Sequence, residues 1–273
     1  MMKAKGLILA MCLLVAFSAS AEKVRGNGNV ITKEINVGSF ETIDAGGNVS
    51  FEKNGFNLKQ KKEYKFIYSQ RSGKESLSVT MDENLFSYLE IRSTDGKLTI
   101  RTKDRDKIIP TTLIIKGSSE NLKKVSLSGS LDFIAETPIK SDELSISVSG
   151  AGDVLMAKQT DVESIKFTIS GAGDVIASDL RCKRFEGKVS GAGDIEIKGK
   201  SDEAKFSVSG AGDIEAYDFI VKNVTASVSG VGDIEVYASE TLNASVSGIG
   251  DIAYKGNPEV SSKKSGMGSI KKK

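Results

Sequence analysis

Ser149-Gly150-Ala151-Gly152-Asp153 is a five-residue phrase that recurs through the second half of the chain. The copies, some of them weaker variants, begin at Ser128, Ser149, Ser170, Ser190, Ser209, Ser229, Ser247 and Ser265. Successive copies therefore start 18 to 21 residues apart. A period of this size, held over eight copies, predicts a solenoid rather than a closed globule.

Short alternations of apolar and polar residues flank the phrase, which is typical of β-strands. Aligning the copies gives one β-branched column before the corner, Val148, Ile169, Val189, Val208, Val228 and Val246, and one after it, Val154, Val175, Ile195, Ile214, Ile234 and Ile252. We expect both columns to face a core, and the two glycines to adopt the positive φ of a sharp corner. Strand, corner, strand and loop in repetition predict an all-β fold, a parallel β-helix or β-solenoid.

The composition excludes several classes of function. The chain has 273 residues, no histidine and no tryptophan, and 38 Lys and Arg against 36 Asp and Glu. Because the charges nearly balance, no global field attracts nucleic acid. Without histidine, the commonest general base and metal ligand are missing. We therefore expect Cys182 to be a structural thiol and not a nucleophile.

The first 21 residues have the features of an export signal. Lys3 and Lys5 precede an apolar run over residues 7–17, and Ala-Ser-Ala at residues 19–21 fits a cleavage site. The apolar run is about half the length that a transmembrane helix needs. We predict a signal peptide over residues 1–21, no integral membrane segment after its cleavage, and an exported protein of the periplasm, cell surface or extracellular space.

The remaining chain is predicted to be one continuous β architecture. Residues 22–127 form its less regular part, with short strands at roughly 10-residue spacing, and residues 128–270 form the repetitive solenoid. Residues 57–73, which are rich in Lys and Gln and carry three aromatic residues, suggest an inserted hairpin or loop, and the charge run 101–107 suggests a solvated loop. The basic residues 263–273 either fray or shield the last coil from edge-to-edge pairing.

With these elements in order, the sequence resembles the head GIN domain of putative auto-transporter adhesins. The stretches that carry the resemblance are residues 40–43, 47–49, 77–79, 82–85 and 96–100, followed by the Ser-Gly-x-Gly-Asp series. The resemblance spans about residues 35–252. It implies a right-handed β-helix-like fold and an envelope or surface location, and it supplies no catalytic residues.

Each copy but the last ends in an aspartate, giving the column Asp132, Asp153, Asp174, Asp194, Asp213, Asp233 and Asp251. Carboxylates about 4.8 Å apart repel by about 0.9 kcal/mol in water and about 3.5 kcal/mol at an effective dielectric of 20. The carboxylates could bond to N–H groups of their own corner, bind Ca²⁺ between coils, or bind or cleave a sugar polymer. We favour the first, because the phrase is one residue shorter than calcium-binding Gly-Gly-x-Gly-x-Asp repeats and because identical copies lack the asymmetry of an active site. No cofactor is predicted.

Two further columns are candidate binding surfaces. The serines that open each copy could bind glycans or mineral surfaces, or could simply suit a solvated sheet. Tyr217, Tyr237 and Tyr254 recur near the repeat period. They form either an aromatic stripe for sugar stacking or packing at the core edge. We favour the structural interpretation for both columns: a solvated sheet for the serines and packing at the core edge for the tyrosines.

The sequence therefore predicts an exported, non-catalytic cell-envelope or surface protein, an adhesin or surface-binding module for a glycan or a host or matrix surface. The rivals are a carbohydrate-active β-helix enzyme, either lyase or hydrolase, and a purely structural periplasmic protein. A mid-solenoid groove that collects Lys or Arg with two or more unlike acids would favour the enzyme. A uniform face would favour adhesion, and a homo-oligomer is left open.

Overall fold

The computed structural model describes residues 23–47, 49, 63–73, 75–103 and 107–273. The predicted signal peptide lies outside these residues, as do residues 57–62 and 104–106 of the two predicted loops. A 3-10 helix spans Glu83–Tyr88. The strands are β1 (Lys23–Arg25), β2 (Val30–Glu34), β3 (Phe40–Ala45), β4 (Tyr64–Gln70), β5 (Ser76–Asp82), β6 (Leu89–Thr94), β7 (Gly96–Thr102), β8 (Lys107–Ile109), β9 (Leu113–Ser119), β10 (Lys124–Leu127), β11 (Asp132–Ala135), β12 (Ile139–Val148), β13 (Val154–Met156), β14 (Thr160–Ile169), β15 (Val175–Val189), β16 (Ile195–Val208), β17 (Ile214–Val228), β18 (Ile234–Val246), β19 (Ile252–Lys255), β20 (Glu259–Lys264) and β21 (Ile270–Lys272).

The repetitive half is a parallel β-solenoid, as predicted. One ladder joins β10, β12, β14, the later parts of β15 to β18, and β20. A second ladder joins β11, β13, the starts of β15 to β18, β19 and β21. The register matches the repeat, since Val148 pairs with Ile169 and Ile169 with Val189. Successive corners therefore lie directly above one another.

The core of the solenoid is a continuous stack of apolar side chains. Both β-branched columns predicted from the alignment are buried. Phe185 joins the coils around it, with its ring centroid 5.4 Å from that of Phe167 and 5.3 Å from that of Phe206. Burial of such side chains is the main term that stabilises the fold.

The order of the coils in the amino-terminal half differs from the order of the chain. Strand β7 pairs with β3 and β3 with β10, while β9 pairs with β4 and β4 with β11, all in parallel. The coil formed by β3 and β4 thus has two neighbours. The coil of β7 and β9, which comes later in the sequence, lies on one side of it, and the first repeat lies on the other. The chain crosses this coil between β9 and β10, where the Lys123 ammonium lies 2.8 Å from the Glu41 carboxylate.

Antiparallel strands cover the outer end of this half. β5 pairs antiparallel with β9, β2 with β5, and β6 with β7. Such a cover protects the end of a solenoid from open-ended pairing. In the described residues, no helix is long and apolar enough to cross a membrane.

The interpretation of residues 57–73 as an inserted hairpin or loop is wrong for residues 64–70. Residues 64–70 are strand β4, which pairs with coils on both sides. Tyr64, Phe66 and Tyr68 are buried in the core. Their spacing of two residues is that of a regular strand in a solenoid coil. The lysines around them hide the similarity of this strand to those of the repeats.

Candidate functional site

The aspartate column forms a hydrogen-bonded ladder along one corner of the solenoid. The backbone N–H of Asp153 donates to Oδ1 of Asp132 at 3.0 Å, and the pattern continues coil by coil to Asp251. The expectation that each carboxylate bonds within its own corner is wrong. The Asp174 carbonyl already accepts from Val154 of the earlier coil. The Asp174 N–H, which points back at that coil, therefore meets the side chain of Asp153.

The glycines of the phrase are needed for close stacking and not for positive φ. The described glycines with positive φ all lie outside the phrase; they are Gly28, Gly47, Gly73, Gly96, Gly199 and Gly256. A Cβ on Gly193 would lie 2.1 Å from the carbonyl oxygen of Gly173, one coil earlier. The positive-φ prediction is therefore wrong, because the closeness of the coils, and not a left-handed backbone, excludes a side chain.

The structure gives no support to calcium between the coils. One oxygen of each ladder carboxylate from Asp153 to Asp251 already accepts a backbone N–H. Calcium takes six to eight oxygen ligands. Over the described ranges, no group of three or more acidic, cysteine or histidine side chains could hold a metal ion. Calcium binding stays a hypothesis.

A second acidic column lies beside the first and is formed by Glu196, Glu215 and Glu235 in register. Burial, followed by the charges of Glu196 and Glu235, raises the pKa of Glu215. This face is therefore strongly negative near the middle of the repeats.

The tyrosines do not form one stripe. The Lys255 ammonium lies 4.2 Å from the centre of the Tyr217 ring, and Lys255 pairs with Tyr237. Tyr254 pairs instead with the core residue Val236 and is partly buried against the core. The Tyr217 hydroxyl is buried, and burial followed by the charge of the nearby Glu235 raises its pKa. This arrangement fits packing better than a platform for sugar stacking.

Two members of the serine column bond back to the preceding coil. The Ser149 hydroxyl donates to the Leu127 carbonyl at 3.2 Å, and the Ser190 hydroxyl to the Ile169 carbonyl at 3.3 Å. These contacts agree with the structural interpretation of the serines.

One groove, the long-strand groove, follows the outer face of β14 to β18 and has a volume of about 490 Å³. Its charged end contains Lys166 and Glu186, which are 2.9 Å apart. Its uncharged end carries the polar quartet, which we define as Asn223, Thr225, Thr241 and Asn243. The Thr241 hydroxyl donates to Oδ1 of Asn223 at 2.8 Å, and Thr225 pairs with Asn243.

A second groove, the crossing groove, has a volume of about 680 Å³ and lies where the chain passes the β3–β4 coil. Asp142, Asp161 and Glu163 line it together with Arg181 and Lys183. The Lys183 ammonium, 2.7 Å away, hydrogen-bonds the Glu163 carboxylate and lowers its pKa. The Glu163 carboxylate is therefore held ionised.

Cys182 also lines the crossing groove. Burial raises the pKa of its thiol to about 11, and the thiol donates to the Ser201 hydroxyl at 3.4 Å. This environment is that of a structural cysteine.

Comparison with known families agrees with the resemblance seen in the sequence. The family model described as "Putative auto-transporter adhesin, head GIN domain" matches residues 57–258. The chain belongs to the head GIN domain family. Among curated proteins, none matches this head GIN domain protein.

Three solved structures of similar chains come from Parabacteroides species and share the fold of this head GIN domain protein. A putative lipid binding protein from Parabacteroides distasonis is 32% identical, with a TM-score of 0.85 over 92% of this chain and 100% of its own. A putative adhesin from Parabacteroides merdae is 30% identical, with a TM-score of 0.83 over 93% of this chain and 100% of its own. A putative adhesin from Parabacteroides distasonis is 29% identical, with a TM-score of 0.83, and covers 92% and 100% of the two chains. None of these descriptions names an enzyme.

Proposed function

We propose that this head GIN domain protein is an exported, non-catalytic adhesion module of the cell envelope, which binds a glycan along the long-strand groove. The observation that carries the proposal is the polar quartet on two adjacent coils. The family supports an adhesive role, and the sequence of residues 1–21 supports export.

The quartet offers chemistry that suits sugar hydroxyls. Its amide and hydroxyl side chains both donate and accept hydrogen bonds. Neighbouring coils place such groups about 4.8 Å apart, on a backbone fixed by parallel ladders on both sides. A rigid site loses little conformational entropy when it binds. Lys205 and Arg184 continue the groove and can meet acidic groups of a longer polymer.

The crossing groove favours one alternative, a carbohydrate-active enzyme, because it combines unlike acids with Arg181 and Lys183. A glycoside hydrolase needs a general acid whose pKa is raised. The pKa of Glu163 is instead lowered by Lys183. We therefore do not assign the role of general acid to Glu163.

A glycan and matrix-protein array tests the adhesive role on the chain that starts after residue 21. We expect a ligand whose affinity falls at least tenfold in the double variant Asn223→Ala/Asn243→Ala. The control Ser145→Ala/Ser147→Ala removes hydroxyls from the same face four coils earlier and should bind normally. Unchanged binding by the quartet variant, or no ligand at all, would contradict the proposal and leave the structural role ahead.

Two further measurements separate the rivals. Incubation with any polysaccharide that binds should yield no new reducing ends and no unsaturated products; their appearance would support the enzyme. Proteolysis of intact cells should cleave the protein if it lies at the surface, whereas protection until the outer membrane is opened would indicate a periplasmic protein.

A further inference from the structure

The residue between the two glycines of each phrase forms an exposed column that becomes larger toward the carboxyl-terminal end. It is alanine in the four copies from Ala151 to Ala211, and then Val231, Ile249 and Met267. These three side chains, the apolar ridge, are 61%, 56% and 79% exposed. They stack on successive coils, since the Ile249 N–H donates to Gly230 and the Met267 N–H to Gly248, each at 3.0 Å.

The last coil, which carries Met267, also reverses the local charge. Lys263 and Lys264 precede its corner, and Lys271, Lys272 and Lys273 follow it. The acidic column stops at Asp251, because Ser269 occupies the equivalent position. Asp251 itself lies 3.6 Å from the Lys271 ammonium. The largest exposed apolar side chain of the corner therefore lies where acids end and lysines begin.

The lysines have a structural role that the ridge does not share. Lys264 pairs with the core residue Val246, and Lys272 with Tyr254, so lysines end the core columns. Charges at an end coil prevent further edge pairing. The ridge residues point away from the core. Earlier coils form the same corner with alanine at this position. Compared with alanine, the larger valine, isoleucine and methionine side chains expose more apolar surface and add no contact with the core.

We propose that the apolar ridge and the lysines of the last coil dock on an anionic lipid surface. Aliphatic side chains can enter the boundary between headgroups and acyl chains, while lysines attract the headgroup phosphates. A second copy is the rival occupant, and the lysines clustered on the last coil favour an anionic surface over it. The long-strand groove lies on a different face, so the two surfaces can act independently and this inference does not rest on the proposed function.

Vesicle co-sedimentation tests the docking with the chain that starts after residue 21. We expect binding to phosphatidylcholine vesicles that contain phosphatidylglycerol, much weaker binding to pure phosphatidylcholine, and a decrease with salt. Each of Lys263→Gln and Lys271→Gln should weaken binding about fivefold. Met267→Ser should weaken it about tenfold, and Ala211→Met, which lengthens the ridge, should strengthen it. Equal binding to both vesicle types, or no binding, would overturn the proposal.

A fluorescent variant locates the contact. The chain has no tryptophan, so Met267→Trp introduces a single reporter at the ridge. Its emission should shift to the blue with anionic vesicles, whereas Leu155→Trp, at an exposed aliphatic position on a distant coil, should not shift. A blue shift that grows with protein concentration in the absence of vesicles would instead identify a second copy as the occupant. A shift at Leu155→Trp alone would place the contact elsewhere.

Discussion

The backbone N–H of Asp213 donates to Oδ1 of Asp194, one coil earlier, at 2.7 Å. This hydrogen bond joins two successive coils at the corner, as a backbone ladder bond joins them within the strands. A bond to a charged acceptor contributes about 1.5–3 kcal/mol, which offsets much of the repulsion between stacked carboxylates. The aspartates therefore specify the stacking of the coils.

Replacing Asp194 should separate its role as an acceptor from its charge. Asp194→Ala leaves the Asp213 N–H without its acceptor and should lower the free energy of unfolding by about 1–3 kcal/mol in denaturant titrations. Asp194→Asn keeps an acceptor and removes a charge, so it should change stability by less than about 1 kcal/mol. Asp218→Ala, an exposed acid outside the ladder, is the control. Equal losses in the Ala and Asn variants would show that the charge matters and not the acceptor, and a rise in melting temperature with millimolar calcium would support the calcium hypothesis.

Substitutions at Gly193 test the stacking explanation of the glycines. Gly193→Ala places a Cβ against the Gly173 carbonyl and should cost about 3 kcal/mol or more. Gly193→Asn should cost at least as much, because Asn relieves a left-handed backbone but not a steric clash. Ala192→Ser, at the exposed position beside it, should be nearly neutral by thermal melting. A clear advantage of Asn over Ala would argue for backbone conformation.

The repeats could be predicted from the sequence because each coil has the same order of apolar column, Gly-containing corner and apolar column. Column members such as Val189 and Ile195 follow from alternation alone, and both are buried. The pairing of β7 with β3 could not be read, because coils without a shared phrase reveal neither their neighbours nor their order. The sequence also does not distinguish a glycine that adopts positive φ from a glycine that leaves room for the backbone of the next coil. For this reason the prediction of positive φ at Gly193 is wrong.

The candidate site was less predictable than the fold. The quartet arises because Asn223 and Thr241, 18 residues apart, fall in register on one outward face. Aligning the outward positions as well as the core columns would have found it. Alignment on the phrase would also have separated the tyrosines, because Tyr254 lies in the column of Ala216 and Val236, whereas Tyr217 and Tyr237 each follow that column by one residue.

The glutamate column should make stability depend on pH in a defined direction. The pKa of Glu215 is raised above its ordinary value of 4.5, by burial and then by Glu196 and Glu235. The folded state therefore binds this proton more tightly, and the group destabilises the fold at pH values above its raised pKa. Glu215→Gln should stabilise at neutral pH by only a few tenths of a kcal/mol, because burial of the Glu215 carboxylate is slight and solvent screens the neighbouring charges. The gain should vanish as the pH falls below about 4. Denaturant midpoints of the unsubstituted protein and of Glu215→Gln, measured across this pH range, would check the prediction. A gain in stability that persists at low pH would contradict it.

The Cys182 thiol should be inert in the folded protein. Burial raises its pKa from 9.0 to about 11, which lowers the thiolate fraction near pH 8 about 100-fold. Alkylation at pH 8 should therefore be at least 100-fold slower in the native chain than in denaturant. In the chain that starts after residue 21 it is the sole cysteine, so mass spectrometry reads its modification directly. Cys182→Ser/Ser178→Cys moves the thiol to an exposed corner and should react rapidly when folded. Similar rates for native and unfolded Cys182 would show that the thiol is accessible and would reopen a chemical role for the crossing groove.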